Sequence, residues 1–294
     1  MKLNGVEIED TYAEAFTGFY SRILITAVNE KWARIAATEA VGYGTSLIEC
    51  SAETGIEGML PSESTPDGRP GCVIQIWASK KKMTKELIGR IGQCILTSPT
   101  AAVFNYCDSD EKLDVGYKMR FFGDGYESTT SVGGREMVSI PIMMGDFLIE
   151  KELGIAKGVA GGNFIILAKD QKSALRAAEE AVCVIEGVEG VITPFPGGVC
   201  AAGSKVGSKY KFMIASTNDK YCPTIADKVK DSKVKGIGAV LEIVIDGISE
   251  EKVGEAMKQG IKAAAEVDGV KKITAGNYGG TLGKVHFHLR KLLE

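Results

Sequence analysis

One acid, Glu242, stands inside the otherwise apolar strand segment Ala239-Val240-Leu241-Glu242-Ile243-Val244-Ile245, which runs on into Asp246. Alternation along a strand puts Val240, Val244 and Asp246 on the face of Glu242, so two of its three neighbours there are apolar. A carboxylate removed from water must be paired, hydrogen-bonded or neutralised. Neutralised, it can donate a hydrogen bond and a proton, which an ionised carboxylate cannot do. Desolvation, with like-charge repulsion from Asp246, would push its pKa in that direction. The plainer reading is a solvated glutamate on an exposed sheet face. On the strand alone that reading is the stronger; the apolar neighbours and an internal comparison weaken it.

The comparison comes from a repeat. Asn163-Phe164-Ile165-Ile166-Leu167-Ala168-Lys169-Asp170 reads as the matching strand, and placing Asp170 on Asp246 (246 − 170 = 76) puts Ile166 on Glu242. Helical stretches follow near 172–186 and 249–266, then the turns Val188-Glu189-Gly190-Val191 and Val267-Asp268-Gly269-Val270. The turns set a shift of 79 (267 − 188 = 79). At that shift Ala174, Ala177, Ala178, Val182 and Ile185 fall on Val253, Ala256, Met257, Ile261 and Ala264, a helical stripe in both copies. Using 76 for the strands implies three extra residues in the second strand-to-helix loop.

The elements that must position these residues follow one plan twice. In the first half a strand at 22–28, a helix over 30–41, strands near 45–50 and 72–79, a helix N-capped by Thr84 and a strand at 101–106 give β-α-β-β-α-β. The turn-rich 62–71 stretch reads as a long loop. The two repeats give the same order in the second half. The fold class is α+β: two ferredoxin-like (split βαβ) lobes, 1–145 and 146–294, with additional strands at 115–122, 135–142, 209–216 and 284–289.

Composition excludes more than it selects. The 294 residues are 45% hydrophobic and 25% charged, enough for two sizeable cores. A net charge of −3 argues against general nucleic-acid binding. No apolar h-region opens the chain and no apolar run approaches a membrane span, so a cytoplasmic protein is expected, with no membrane partner. Seven cysteines, none in a Cys-x-x-Cys pair, read as small hydrophobes. The two histidines, His286 and His288, alternate on one strand without a third ligand at metal-binding spacing, so no metal site is expected. Gly198-Val199-Cys200-Ala201-Ala202-Gly203-Ser204-Lys205 has Ser and Lys in the wrong order for a P-loop, and no Gly-x-Gly-x-x-Gly turn opens a helix.

Two loops invite a ligand. Pro194-Phe195-Pro196-Gly197-Gly198 and Gly276-Asn277-Tyr278-Gly279-Gly280 end equivalent strands, and each carries an aromatic ring. Any single glycine here is explained by a tight turn. The length of the loops and their rings favour Pro196, Gly197, Gly198, Asn277, Tyr278 and Gly279 as substrate contacts. Lys80 to Lys82 and Lys205, Lys209 and Lys211 read as solvated surface that would also suit an anionic tail.

Thr65-Pro66-Asp67-Gly68-Arg69-Pro70-Gly71, Arg90-Ile91-Gly92-Gln93-Cys94, Pro99-Thr100-Ala101-Ala102-Val103-Phe104-Asn105, Ile192-Thr193-Pro194-Phe195-Pro196-Gly197-Gly198 and Ile273-Thr274-Ala275-Gly276-Asn277-Tyr278-Gly279-Gly280 together resemble the formylmethanofuran:tetrahydromethanopterin formyltransferases. The resemblance runs over essentially the whole chain. It implies a homo-oligomer, commonly a tetramer, of two-lobed subunits with ferredoxin-like lobes. It implies formyl transfer from methanofuran to N5 of tetrahydromethanopterin, or a close variant such as tetrahydrosarcinapterin. The transfer would be direct, through a tetrahedral intermediate, with no tightly bound cofactor, and both coenzymes would be substrates. It also implies a role at the reaction centre for Glu242. Asp67 and Arg69 join the candidate contacts from the first of these segments. The rival expectation is a non-catalytic ligand-sensing protein built on ferredoxin-like repeats.

Overall fold

The computed structural model describes residues 1–203 and 205–294. They form two compact units, Gly18–Lys157 and Met1–Thr17 together with Gly158–Glu294. Within the first of these, Arg135–Ile142 and Gly145–Glu150 pair as a hairpin from Gly145↔Ile142 to Glu150↔Met137.

The unit Gly18–Lys157 contains most of β1 (Tyr12–Thr26), then α1 (Glu30–Val41), β2 (Glu53–Leu60), β3 (Gly71–Trp77), α2 (Lys80–Arg90) and β4 (Ala102–Asn105). All pairings are antiparallel and give the order β4-β1-β3-β2, the split βαβ arrangement. Gly145–Glu150 extends the sheet parallel to β4. Ile23, Ile25, Ile74 and Ile76 pack against the alanine face of α1 (Ala33, Ala36, Ala37, Ala40) and against Met83 and Leu87 of α2.

Three expectations for this unit change. Residues 45–50 are a turn, closed by the Cys50 N–H on the Ser46 carbonyl at 2.7 Å, and the strand begins at Glu53. The 115–122 segment is helical (Val115–Met119, then Arg120–Gly123), since Val115 and Met119 are buried together at i and i+4. Helix α2 starts at Lys80 with Ser79 at its N-cap, one turn before Thr84, and continues into a π turn over Ile91–Ile95.

The other unit is built from β5 (Ala156–Ala168), α3 (Gln171–Ile185), β6 (Val191–Ile192), β7 (Ala239–Gly247), α4 (Glu250–Ala265) and β8 (Val270–Thr274). Its order, β8-β5-β7-β6, is again split βαβ, with Val6–Ile8 added parallel to β8. Phe164, Ile166, Ile243 and Ile245 face the two helices, and all ten residues of the helical stripe read from the repeat are buried. The 209–216 strand shrinks to Ala215–Thr217, whereas Val285–His288 pairs with Tyr12–Ala15.

The repeat is present, with a strand register that differs from the expected shift of 76. Asp170 N-caps α3 through the Ser173 N–H, and Ser249 N-caps α4 through the Lys252 N–H. Those caps are 79 residues apart (249 − 170 = 79), so both strand-to-helix loops have the same length. Parity decides it independently, because helix-facing residues are even-numbered in β5 and odd-numbered in β7. A shift of 76 would turn a helix-facing side chain outward. The counterpart of Glu242 is therefore Asn163, a polar residue, and Ile166 corresponds to Ile245. As a check on the cap, Asp170→Ala should lower unfolding stability by about 1 kcal/mol in denaturant titration. An unchanged midpoint would remove this evidence for the register.

Candidate active site

The face of β5 and β7 turned away from the helices carries Ile165, Leu167 and Val240. The long segment between β6 and β7 folds over it, packing Tyr221, Ala226, Val234 and Ile237 against those side chains. It leaves a cavity of about 440 Å³ whose walls include Glu242, Cys200, Gly203, Asn218, Tyr221 and Val240. Sequence periodicity gave no view of this cover, because little of it is regular structure.

Glu242 is held by its backbone from both sides. Ile165 stands opposite it on β5, and Cys200 bridges it on the other edge through two backbone hydrogen bonds of 2.8 and 3.0 Å. Its carboxyl lies against Gly203, where a Cβ would stand 3.0 Å from Oε2 and would require that oxygen to shift by a few tenths of an ångström. Among the described residues no donor is hydrogen-bonded to the carboxyl. Burial pushes its pKa up to about 7. The residue keeps partial contact with the cavity, but the surrounding protein removes most of the hydration an ionised carboxylate needs. The shift comes from burial. Asp246 is fully buried and accepts a hydrogen bond from the Gly161 N–H at 2.9 Å. Burial and the nearby Glu242 raise the Cys200 thiol to about 11, which keeps it an inert wall.

The two Gly/Pro loops follow β6 and β8. Pro196–Gly198 is a single turn leading into the Cys200 bridge, so it lies two residues from the backbone partner of Glu242. In the other loop, Tyr278 sits near enough to Glu242 for their charges to interact. Burial first, then Glu242 and Glu14, raise its phenol pKa. The amide of Asn277 is engaged within the protein, donating to Thr11 Oγ1 and the Tyr12 carbonyl at 3.3 and 3.2 Å. Asn163 grips the start of the loop, accepting from the Gly276 N–H at 2.6 Å and donating to its carbonyl at 3.2 Å.

Asp67 and Arg69 belong to the other unit and are engaged with each other. Arg69 Nε donates to Asp67 Oδ2 at 2.8 Å, and its other nitrogens donate to Thr26 Oγ1 and the Thr100 carbonyl. Thr26 Oγ1 in turn donates to Asp67 at 2.7 Å. This cluster fixes the 62–71 loop. His286 and His288 flank the Tyr12 ring, with centroids 4.8 and 5.3 Å away.

Sequence reasoning missed Glu14. It is buried at 1% exposure in Tyr12-Ala13-Glu14-Ala15-Phe16, and an acid within an apolar strand was the signal that singled out Glu242. Desolvation opposes its ionisation, but backbone N–H groups of Gly283, Tyr278, Leu282 and Gly280 outweigh it and bring the pKa down to about 2.

Known proteins match along the whole chain. Residues 1–142 match the family model described as formylmethanofuran-tetrahydromethanopterin formyltransferase, and residues 145–292 match the model of that enzyme's proximal lobe. The chain belongs to this formyltransferase family. Among its relatives are the formylmethanofuran–tetrahydromethanopterin formyltransferases of Methanocaldococcus jannaschii, 58% identical over 100% of both chains, and of Methanothermobacter thermautotrophicus, 59% identical over 99% of this chain and all of that one. The structure of the Methanosarcina barkeri enzyme superposes with a TM-score of 0.96 at 53% identity, covering 99% of this chain and 100% of that one. A formyltransferase/hydrolase complex from Methylorubrum extorquens, solved with methylofuran, matches with a TM-score of 0.95 at 42% identity, covering 100% of this chain and 99% of that one. Membership bears out the resemblance read from the sequence and its α+β fold, and the ligand-sensing alternative finds no support. No helix among the described residues is long and apolar enough to cross a membrane.

Proposed function

We propose that Glu242, as a neutral carboxylic acid, is the proton and hydrogen-bond donor of the formyl transfer. The reaction of this enzyme moves a formyl group from N-formylmethanofuran to N5 of tetrahydromethanopterin, and both coenzymes are substrates. N5 attacks the formyl carbon, and the carbonyl oxygen takes up negative charge in the tetrahedral intermediate. Donors placed at such an oxygen are worth about 3–4 kcal/mol each. Collapse of the intermediate breaks the bond to the methanofuran nitrogen, which leaves as an amine and takes a proton, while N5 gives one up. A neutral Glu242 serves the oxygen first and supplies the proton to the leaving nitrogen, and the proton given up by N5 restores the acid.

The observation that carries this reading is an acid in the cavity wall with no hydrogen-bond donor on its carboxyl among the described residues, its pKa raised to about 7 by burial. Holding both substrates in one cleft supplies further acceleration. Pro196, Gly197, Gly198, Tyr278 and Gly279 are proposed to line the substrate path, with Asn277, Asp67 and Arg69 as supporting groups. The same proposal has the protein acting in the cytoplasm as a homo-oligomer, a tetramer, with tetrahydrosarcinapterin accepted as a close variant. Exposed Phe121, Phe122, Tyr126, Met143 and Met144 support self-association. Purified protein mixed with both substrates should consume formylmethanofuran and form the N5-formyl pterin in equal amounts. Binding without turnover would sink the reading.

A further inference from the structure

The segment after Gly276 has left-handed backbone at Gly279 and Gly280 (φ 71° and 75°), which turns successive N–H groups toward one point. Such a concavity ordinarily holds an anion, and here the chain fills it with Glu14. Oε2 accepts from the Tyr278 and Gly280 N–H groups at 2.7 and 2.8 Å, and Oε1 from Leu282 and Gly283 at 2.7 and 2.6 Å. Two acceptances per oxygen use the full capacity of a carboxylate, so Glu14 has nothing left to offer a substrate. Tyr278 is thereby fixed at its own N–H. Its ring lies against Phe16, with centroids 6.4 Å apart, and its phenol is within electrostatic range of Glu242. A loop made largely of glycine would otherwise sample many conformations.

Resting on the reading of Glu242 and the Tyr278 loop given above, we propose that Glu14 is a positioning residue for formyl transfer. It anchors residues 278–283 through four backbone hydrogen bonds so that Tyr278 is presented to the reaction centre. The side chain never meets substrate. Its effect is on how often the loop is in the productive place.

Replacing the carboxylate by an amide turns one acceptor oxygen into an N–H₂ group that faces two N–H donors. Glu14→Gln should therefore lower kcat/KM by about 10²-fold, the cost of small misplacement at a reacting centre. The pH midpoint set by Glu242 should not move, because that shift comes from burial and not from Glu14. Amide exchange should rise in the 276–283 peptide while β5, β7 and α4 stay protected. Paired with Tyr278→Phe, the loss should be no greater than that of the worse single variant. Turnover within twofold of wild type, additive losses, or exchange rising across the whole unit would overturn the proposal. If Glu14→Gln does not fold, two measurements stand in for it. In the unmodified enzyme the amides of 278, 280, 282 and 283 should exchange slowly, and free exchange there refutes the anchor. Gly280→Ala attacks the same cradle from the loop side, through its φ and a contact 3.1 Å from the Tyr12 hydroxyl, and should reproduce the loss. Full activity in Glu14→Gln beside an inactive Glu242→Ala removes only this inference. Full activity in Glu242→Ala removes the reading beneath it and leaves the exchange result standing.

Discussion

Glu242→Ala should reduce turnover by about 10²–10³-fold at saturating concentrations of both substrates, the usual cost of one lost donor at a developing oxyanion. KM should change far less, because the interaction is strongest after the carbonyl oxygen has become charged. Glu242→Gln separates the two tasks of the acid. The amide can still donate a hydrogen bond but has no proton to give, so its loss should be smaller, roughly 10–10²-fold. The cavity should survive in both variants, since Cys200 grips the backbone of Glu242 and not its side chain. Steady-state rates near those of the unmodified enzyme in Glu242→Ala would refute the role.

The second large effect is on pH. Because burial raises the folded-state pKa of Glu242 to about 7 from an ordinary 4.5, the folded protein holds this proton more tightly than the unfolded chain. The sign follows from linkage: the contribution is fully present below 4.5 and is lost as pH rises through about 7. The size is about 1–3 kcal/mol, the lower values reflecting the residue's partial contact with water. Glu242→Gln, which cannot ionise, should be more stable than the unmodified protein at pH 8.5 and no more stable at pH 4.5, by thermal melting. Activity should follow the same proton. In the unmodified enzyme kcat should fall above pH about 7 with a single ionisation, and that limb should vanish in Glu242→Gln. A melting difference independent of pH would show that the carboxyl is ionised throughout.

Much of this was legible in the sequence where residues repeat with a period. Both split βαβ sheets and the buried stripes of α3 and α4 follow from spacings that water enforces. The 45–50 and 115–122 segments were misread because short apolar runs fit a strand, a turn or a helix equally well, and only packing chooses among them. The Glu242 comparison failed for a subtler reason: Asp170 and Asp246 look alike as letters, but one caps a helix and the other is buried in a strand. The cover over the cavity, and the four amides gathered on Glu14, depend on chain folding back from far along the sequence. No local pattern announces them, although the acid at position 14 was there to be asked about.

The Asn163–Glu242 pair has a consequence beyond register. Duplication hands a protein two copies of every position, and a mirrored sheet has no use for a difference between them. Here one copy is an amide that grips its neighbouring loop, and the other is an acid whose carboxyl has no hydrogen-bond donor among the described residues. A formyl group passing between two unlike nitrogens needs an unequal environment, and a symmetric scaffold cannot provide one. The difference at this pair leaves the helix-facing residues of both strands apolar, Phe164 and Ile166 in one and Ile243 and Ile245 in the other.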